Sequence, residues 1–289
     1  MSLKTKFDNG EFAVLAEMEP PKGVDVATMT DNAIKVKGRV DALVVPEMSN
    51  AVMRMSALGG AMILQSKGLE TVMQVNCRDR NRIALQADLL AACGCGITNV
   101  MAVTGEDPSF GDHHQARSVY DIDLMQLLGA IDTLGQGRDM AGVELAGTPT
   151  FLVGSTSDAG ARGKSLELEL EELKKKADAG ARFFITPPVF DTAAIAPFME
   201  KARSLAVSII PTVLLLKSLG MARYMAKNMG HISMPDDLIG RIQKAPDKVR
   251  ECTLIAAETV RTIKQEGFSG VMIATIGWEH KLPEILERV

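Results

Sequence analysis

The sequence predicts an α/β protein of the (β/α)8 TIM barrel class, and three observations carry that expectation. Short apolar runs alternate with segments of helical period along all 289 residues. Eight such runs can be counted, each followed by helix, which is the strand number of an α/β barrel of this length. No Gly-x-Gly-x-x-Gly follows any run, which weakens the doubly wound sheet as a competitor. No internal repeat, low-complexity run or Pro/Gly/Ser linker divides the chain, so residues 1–289 read as one domain.

The elements follow in order. Phe12-Ala-Val-Leu-Ala-Glu-Met-Glu-Pro-Pro21 gives a first strand at 12–17, and Pro20 and Pro21 stop it. A helix over 25–38 leads to a second strand at 40–45, closed by Pro46. A helix over 50–67, carrying Met53, Met55 and Met62, precedes the third strand at 71–75. A helix at 82–93, a fourth strand at 97–103, a polar loop over 104–114 and a helix at 121–135 come next. The fifth strand is expected at 150–153. Its helix, 165–179, sets Leu166, Leu170 and Leu173 on one face and Glu/Lys on the other. A sixth strand at 181–186 is broken by Pro187-Pro188, and a helix at 191–205 leads to the seventh at 208–215. Helices at 218–229, 235–244 and 246–266, an eighth strand at 270–275 and a short helix from Leu282 close the pattern.

Composition narrows the function. Apolar residues make 46% and charged residues 24%, a globular balance with enough material for a large core. A net charge of −4 argues against nucleic acid or an anionic membrane as partner. No run approaches ~18 apolar residues, so no membrane span is expected. Met-Ser-Leu-Lys-Thr-Lys lacks an apolar signal core, and Cys77, Cys93, Cys95 and Cys252 are scattered, so the expected location is cytoplasmic. Cys93-Gly-Cys95 has no Cys/His partner at zinc spacing, and the adjacent His113 and His114 cannot copy a helical i, i+4 site, so no metal is expected.

In a barrel, chemistry gathers at the strand ends. Glu17 and Glu19, two apart in an extended segment, face the same way after the first strand. Glu47 follows the second. Gln74 lies within the third, with Asn76 and Arg78-Asp79-Arg80 beyond it, and Thr104-Gly105-Glu106 follow the fourth. Ser155, Thr156, Thr186, Lys217 and Thr275 stand after the rest. Arg78-Asp79-Arg80 reads either as rim cations or as a cap and surface pair for the next helix. Lys174-Lys175-Lys176 reads as a solvated helix face. The residues alone point to acid–base chemistry on a small polar ligand, and they do not rank Glu17 against Glu19.

Several motifs together resemble methylenetetrahydrofolate reductase. They are Glu17-Met-Glu-Pro-Pro21, Cys77-Arg-Asp-Arg-Asn-Arg-Ile-Ala-Leu-Gln-Ala-Asp88, Gly96-Ile-Thr-Asn-Val100, Thr104-Gly-Glu106, Ser109-Phe-Gly-Asp-His113 and Ala179-Gly-Ala-Arg-Phe-Phe-Ile-Thr186. The chain is most similar to the short, catalytic-domain-only form of acetogens and related anaerobes. The resemblance implies a flavin, FAD with FMN as the variant, at the C-terminal mouth of the barrel. It also implies hydride transfer to 5,10-methylenetetrahydrofolate and a place in one-carbon metabolism and methionine biosynthesis. By the same resemblance, Glu17 is the general acid, Glu19 lines the folate side, and Glu106 takes the place of an Asp that bonds the pterin. Thr104, Gly105 and Tyr120 lie along the flavin. Lys175 and Lys176 face its phosphates, and Gln74 and Asn76 approach its ring system.

Some positions depart from the family pattern. Thr186-Pro187-Pro188 replaces a Thr-Gln pair that holds folate or nicotinamide, and proline offers neither amide nor N–H. Pro46-Glu47-Met48-Ser49 replaces a polar run at the flavin, and Met272 replaces a His. The loss of the Gln at 187 implies electrons from a partner protein rather than from NAD(P)H, and a homo-oligomer or hetero-complex is expected. A flavin-independent reductase using NAD(P)H, or a non-catalytic folate- or flavin-binding subunit, is the alternative.

Overall fold

The computed structural model describes residues 1–230 and 232–289. Eight parallel strands close on themselves in sequence order. They are β1 (Ala13–Glu17), β2 (Ala42–Val45), β3 (Thr71–Asn76), β4 (Asn99–Val103), β5 (Leu152–Thr156), β6 (Phe183–Pro188), β7 (Ser208–Leu214) and β8 (Gly270–Ala274). The helices are α1 (Leu3–Asp8), α2 (Ala27–Lys35), α3 (Ala57–Ser66), α4 (Arg82–Gly94), α5 (Leu124–Gly135) and α6 (Lys164–Asp178). The rest are α7 (Ala196–Ala202), α8 (Leu219–Asn228), α9 (Asp236–Lys244), α10 (Lys248–Gln265) and α11 (Leu282–Leu286). The (β/α)8 barrel expected from the sequence is the observed fold. Among the described residues no helix is long and apolar enough to cross a membrane.

Register decides what reaches the mouth. Paired residues of a parallel ladder share a face, and faces alternate along each strand. Glu17 pairs with Val44, Val44 with Val72, Gln74 with Met101 and Met101 with Gly154. Glu17, Gln74 and Asn76 therefore share the barrel's inner face. The alternate positions, such as Ala16, Leu43, Val100 and Ile273, are buried on the outer face under the helices. The lower end of the barrel is stoppered. Phe183 lies against Gly154, where any Cβ would come within 2.2 Å of the ring, and stacks 5.8 Å from Phe7 of α1. Leu3 of α1 is fully buried, and its N–H donates to Glu70 Oε1 at 2.9 Å, which also receives Asn99 Nδ2 at 2.9 Å. A barrel sealed below offers a ligand only its upper rim.

Several expectations need correction. α1 was not foreseen, because six residues are too short to show a period. The helix expected over 50–67 begins only at Ala57. Met48, Asn50 and Ala51 take positive φ values of 51°, 55° and 55°, and Ser56 caps α3 through Gly59 N–H, so Met53 and Met55 lie in a loop. β5 runs to Thr156 rather than stopping at 153, and the helix expected over 191–205 is interrupted at both ends by 3-10 turns. Pro187 and Pro188 do not end β6 but lie in it. Ile185 pairs with Ile210 and Pro188 with Thr212, so β6 carries one extra residue. Thr212 Oγ1 donates to Thr186 O at 2.6 Å, and Val189 N–H to Thr212 O at 2.8 Å, which replaces bonds that proline cannot donate.

Candidate active site

β1 delivers Glu17 to the inner rim, where it is partly buried. Among the described residues no cation pairs with it. Burial, then the neighbouring carboxylates of Glu19 and Glu279, push its carboxyl up to about 7. Glu19 lies in a different field. Burial leaves its carboxyl above the usual carboxylate range, although Arg54 Nε stands 2.8 Å from Oε1 and limits the rise. Glu279 adds to the rise and Lys217 subtracts from it. Lys217 comes from the end of β7, donates to Ile276 O and lies 5.4 Å from the centre of the Trp278 ring. Glu279 closes its own turn by accepting from Gly277 N–H at 3.0 Å. A carboxyl protonated near neutrality beside one held by a cation is an acid–base pair with divided roles.

The opposite side of the rim, above β2 to β4, is built differently. Gln74 Oε1 accepts from Glu47 N–H at 3.0 Å, and Asn76 Nδ2 donates to Asp79 Oδ2 at 2.9 Å and Glu47 O at 3.4 Å. Glu47, nearly fully buried, accepts from Ala57 N–H at the start of α3 at 2.6 Å and pairs with Arg80 at 2.9 Å. It is a tether for the loop after β2. Arg78 is 2% exposed. It forks onto Asp79 at 2.7 and 2.8 Å and donates to Glu106 O at 3.1 Å and Met48 O at 3.5 Å. Burial alone would raise Asp79, but hydrogen bonds from Arg78 and Asn76 outweigh it and hold that carboxyl below its usual range. Arg78 is therefore no surface pair, and the cap of α4 is Asn81. Gly105, at φ +88°, passes so close that a Cβ would meet Arg78 Cβ at 2.9 Å. Glu106 is half exposed, 3.7 Å from Arg78. Asp112 accepts from Met53 N–H at 3.0 Å and pairs with Lys22, tying the loop after β4 to those after β1 and β2.

Outside these strand ends runs a groove of about 630 Å³, lined by Thr104, Tyr120, Asp123, Met125, Glu172 and Lys176 among others. Tyr120 is held at φ 38° with its hydroxyl donating to Gly105 O at 3.2 Å, so its ring forms a wall. Lys176 Nζ reaches Thr156 O at 2.9 Å. Lys175 lies on the solvent side of the same helix, paired with Glu172 at 2.6 Å, and does not line the groove. Cys77 also lines it, with burial and then Asp123 pushing its thiol up to about 11, so it offers no thiolate. A flat aromatic wall, a hydroxyl and one ammonium, with the carboxylates of Asp123 and Glu172 beside them, suit a ligand with a planar ring and a single anionic group within reach of Lys176. A further hollow of about 550 Å³, between α7 and the turn before β8, is remote from the strand ends.

The structure thus gathers Glu17 and Glu19 at one side of the rim and Thr104, Tyr120 and Lys176 along one groove, with Gly105 and Glu106 at its edge. Gln74 and Asn76 share the inner face, yet both bond the loop after β2. Sequence reasoning missed Arg54, Trp278 and Glu279. Arg54 fell inside a helix that does not form there. Trp278 and Glu279 stand directly after the eighth strand, and that position was a legible signal.

Comparison with known proteins adds a family. The family model described as methylenetetrahydrofolate reductase matches residues 2–289. Methylenetetrahydrofolate reductase 2 of Saccharomyces cerevisiae is 25% identical over 232 residues, covering 77% of this chain and 37% of that protein. The chain thus spans well under half the length of that relative. An uncharacterized protein from Clostridium thermocellum, described as binding two copies of 5-methyl-5,6,7,8-tetrahydrofolic acid, superposes with a TM-score of 0.67 at 15% identity, over 99% of this chain and 97% of that one. EDTA monooxygenase from Chelativorans sp. BNC1 gives 0.60 at 11% identity, over 96% and 92%. At such identities these two share the fold alone.

Proposed function

The chain belongs to the methylenetetrahydrofolate reductase family, and from that premise we propose that it reduces 5,10-methylenetetrahydrofolate to 5-methyltetrahydrofolate in one-carbon metabolism. The single observation that carries the reading is Glu17, a carboxyl pushed up to about 7 at the inner rim. The bridging carbon of the substrate must become an iminium before it accepts hydride. Protonating the ring nitrogen promotes that opening, and a carboxyl still protonated near neutral pH supplies the proton. Glu19, with the Arg54 guanidinium beside it limiting the rise of its carboxyl, stands where the developing iminium charge can be stabilised. Glu106, at the edge of the groove, receives pterin N–H groups. The folate bound by the Clostridium thermocellum fold relative supports this substrate class.

The donor set along the groove fits a flavin, FAD or FMN, which when bound supplies the hydride. Lys176 would hold its phosphate, Tyr120 and Thr104 would flank it, and the Gly105 backbone would approach its edge. Lys175, on the solvent side and paired with Glu172, stays outside that set. The reading places the protein in the cytoplasm, as part of methionine supply, with electrons from a partner protein. Pro187 and Pro188, which offer no backbone N–H, and Thr186, whose carbonyl and hydroxyl already accept from Thr212, support a donor other than NAD(P)H.

Purified protein should show a flavin spectrum and reduce methylenetetrahydrofolate with an artificial reduced dye. Glu17→Gln should cut that rate while leaving flavin content unchanged. Equal rates in the two proteins would sink the assignment. One observation favours a second reading, a flavin-independent reductase: Gln74 and Asn76 bond the loop after β2 instead of standing free. Colourless protein that turns over with NADH alone would select it.

A further inference from the structure

We propose that Arg54 is a positioning residue that holds Glu19 as the anion of the Glu17–Glu19 pair and so keeps the proton on Glu17. The proposal rests on the reading of Glu17 as proton donor. Two carboxyls two residues apart at one strand end, both turned to the same face, cannot both ionise without cost. Something must decide which one keeps the proton. Their surroundings decide it.

Arg54 Nε lies 2.8 Å from Glu19 Oε1, with both side chains mostly buried at 27% and 18% exposure. The contact is an ion pair. Nη1 of the same guanidinium points to Pro20 O at 3.5 Å, and the next residue, Met55, donates its N–H to Pro21 O at 3.0 Å. Arg54 is thereby fastened to the same segment that carries the two acids. The backbone arranges this deliberately in a physical sense: three consecutive-region residues, Met48, Asn50 and Ala51, adopt positive φ, and the helix starts only after Ser56. A helix through 52–56 would carry Arg54 elsewhere.

The other charges cannot do the same work. Glu19 is faced by Arg54 from the loop after β2, by Glu279 from the turn after β8 and by Lys217 from the end of β7. Among the described residues Glu17 is faced by Glu19 and Glu279, both acids. The Lys217 ammonium is engaged by Ile276 O and the face of Trp278. Arg54 is thus the one cation in contact with the pair among the described residues. Without it the pair would share a proton and titrate as a unit, and Glu17 would hold that proton for only part of the time.

The test is a pH titration of glutamate side-chain carboxyls by 13C NMR, in protein labelled at those carbons and assigned with Glu17→Gln and Glu19→Gln. Arg54→Met should raise the Glu19 midpoint by about one pH unit or more and draw the proton partly away from Glu17. Arg54→Lys should restore most of the separation. In the Glu19→Gln background, Arg54→Met should leave the Glu17 midpoint where it was. If Arg54→Met does not fold, Arg54→Gln takes its place. A Glu19 midpoint that is the same with and without Arg54 overturns the proposal and leaves the proton-donor reading standing, because the titration uses no substrate. Undiminished turnover by Glu17→Gln overturns the proton-donor reading itself and, with it, the purpose assigned to Arg54.

Discussion

The two sides of the barrel mouth are built on opposite principles. Above β2 to β4, the polar groups are spent on one another: Arg78 on Asp79, Met48 and Glu106, Glu47 on α3 and Arg80, Gln74 and Asn76 on the loop between. Above β1 and β8, Glu17 has, among the described residues, only acids for charged neighbours and pairs with no cation. A satisfied network fixes geometry, whereas an unpartnered, desolvated acid stores a proton at a pH where free carboxyls have lost theirs. The first side is scaffold for loops, and the second is where chemistry has been left open.

Substitutions on the two sides should therefore fail in different ways. Glu17→Gln should lower turnover of methylenetetrahydrofolate about 10²- to 10⁴-fold, the range for a lost general acid, with the folded state intact by circular dichroism. Arg78→Met should leave partly buried Asp79 without its guanidinium and cost about 1–3 kcal/mol, read as an early denaturant midpoint. A mutant with normal stability would show that the β2–β4 side is not the scaffold argued for above. Lys176→Met should weaken binding of a phosphate-bearing flavin by roughly 10-fold, the worth of one charge-assisted hydrogen bond, without moving stability. Calorimetric titration with FMN checks it, and equal affinity would remove Lys176 from the groove's function.

A further effect concerns stability against pH. The native midpoint of Glu17, about 7, lies above its ordinary value of 4.5, so between those values the native chain binds more protons than the unfolded one. Stability from this group is fully present below about 4.5 and is lost as pH rises through about 7. Glu17→Gln, which cannot ionise, should gain on the parent protein by on the order of 1–3 kcal/mol between pH 5 and pH 8 in paired urea titrations. A constant difference across that range would mean that Glu17 titrates normally.

The barrel was legible because each strand is a mostly apolar run ended by Gly, Pro or a polar rim, and helical period fills the gaps. Glu17 was legible as a residue but not as the acid until its neighbours were known, since Glu19 has the same type, the same face and the same strand end. What separates them is Arg54, and Arg54 was hidden. Its loop depends on left-handed backbone at Met48, Asn50 and Ala51, residues with no glycine to announce it. The extra residue in β6 was hidden for a related reason. Local rules place proline outside a strand, whereas Thr212 on the neighbouring strand repairs the ladder from a distance. Arg78 was misjudged as a surface option because burial comes from three loops that meet only in the folded barrel.

The most direct test of the central claim is the pH dependence of kcat/KM for methylenetetrahydrofolate with a saturating artificial donor. The account predicts activity that falls above a midpoint near 7, the value set by burial, Glu19 and Glu279 around Glu17, and a residual rate in Glu17→Gln that shows no such limb. A profile flat to high pH, or the same limb persisting in Glu17→Gln, would contradict it.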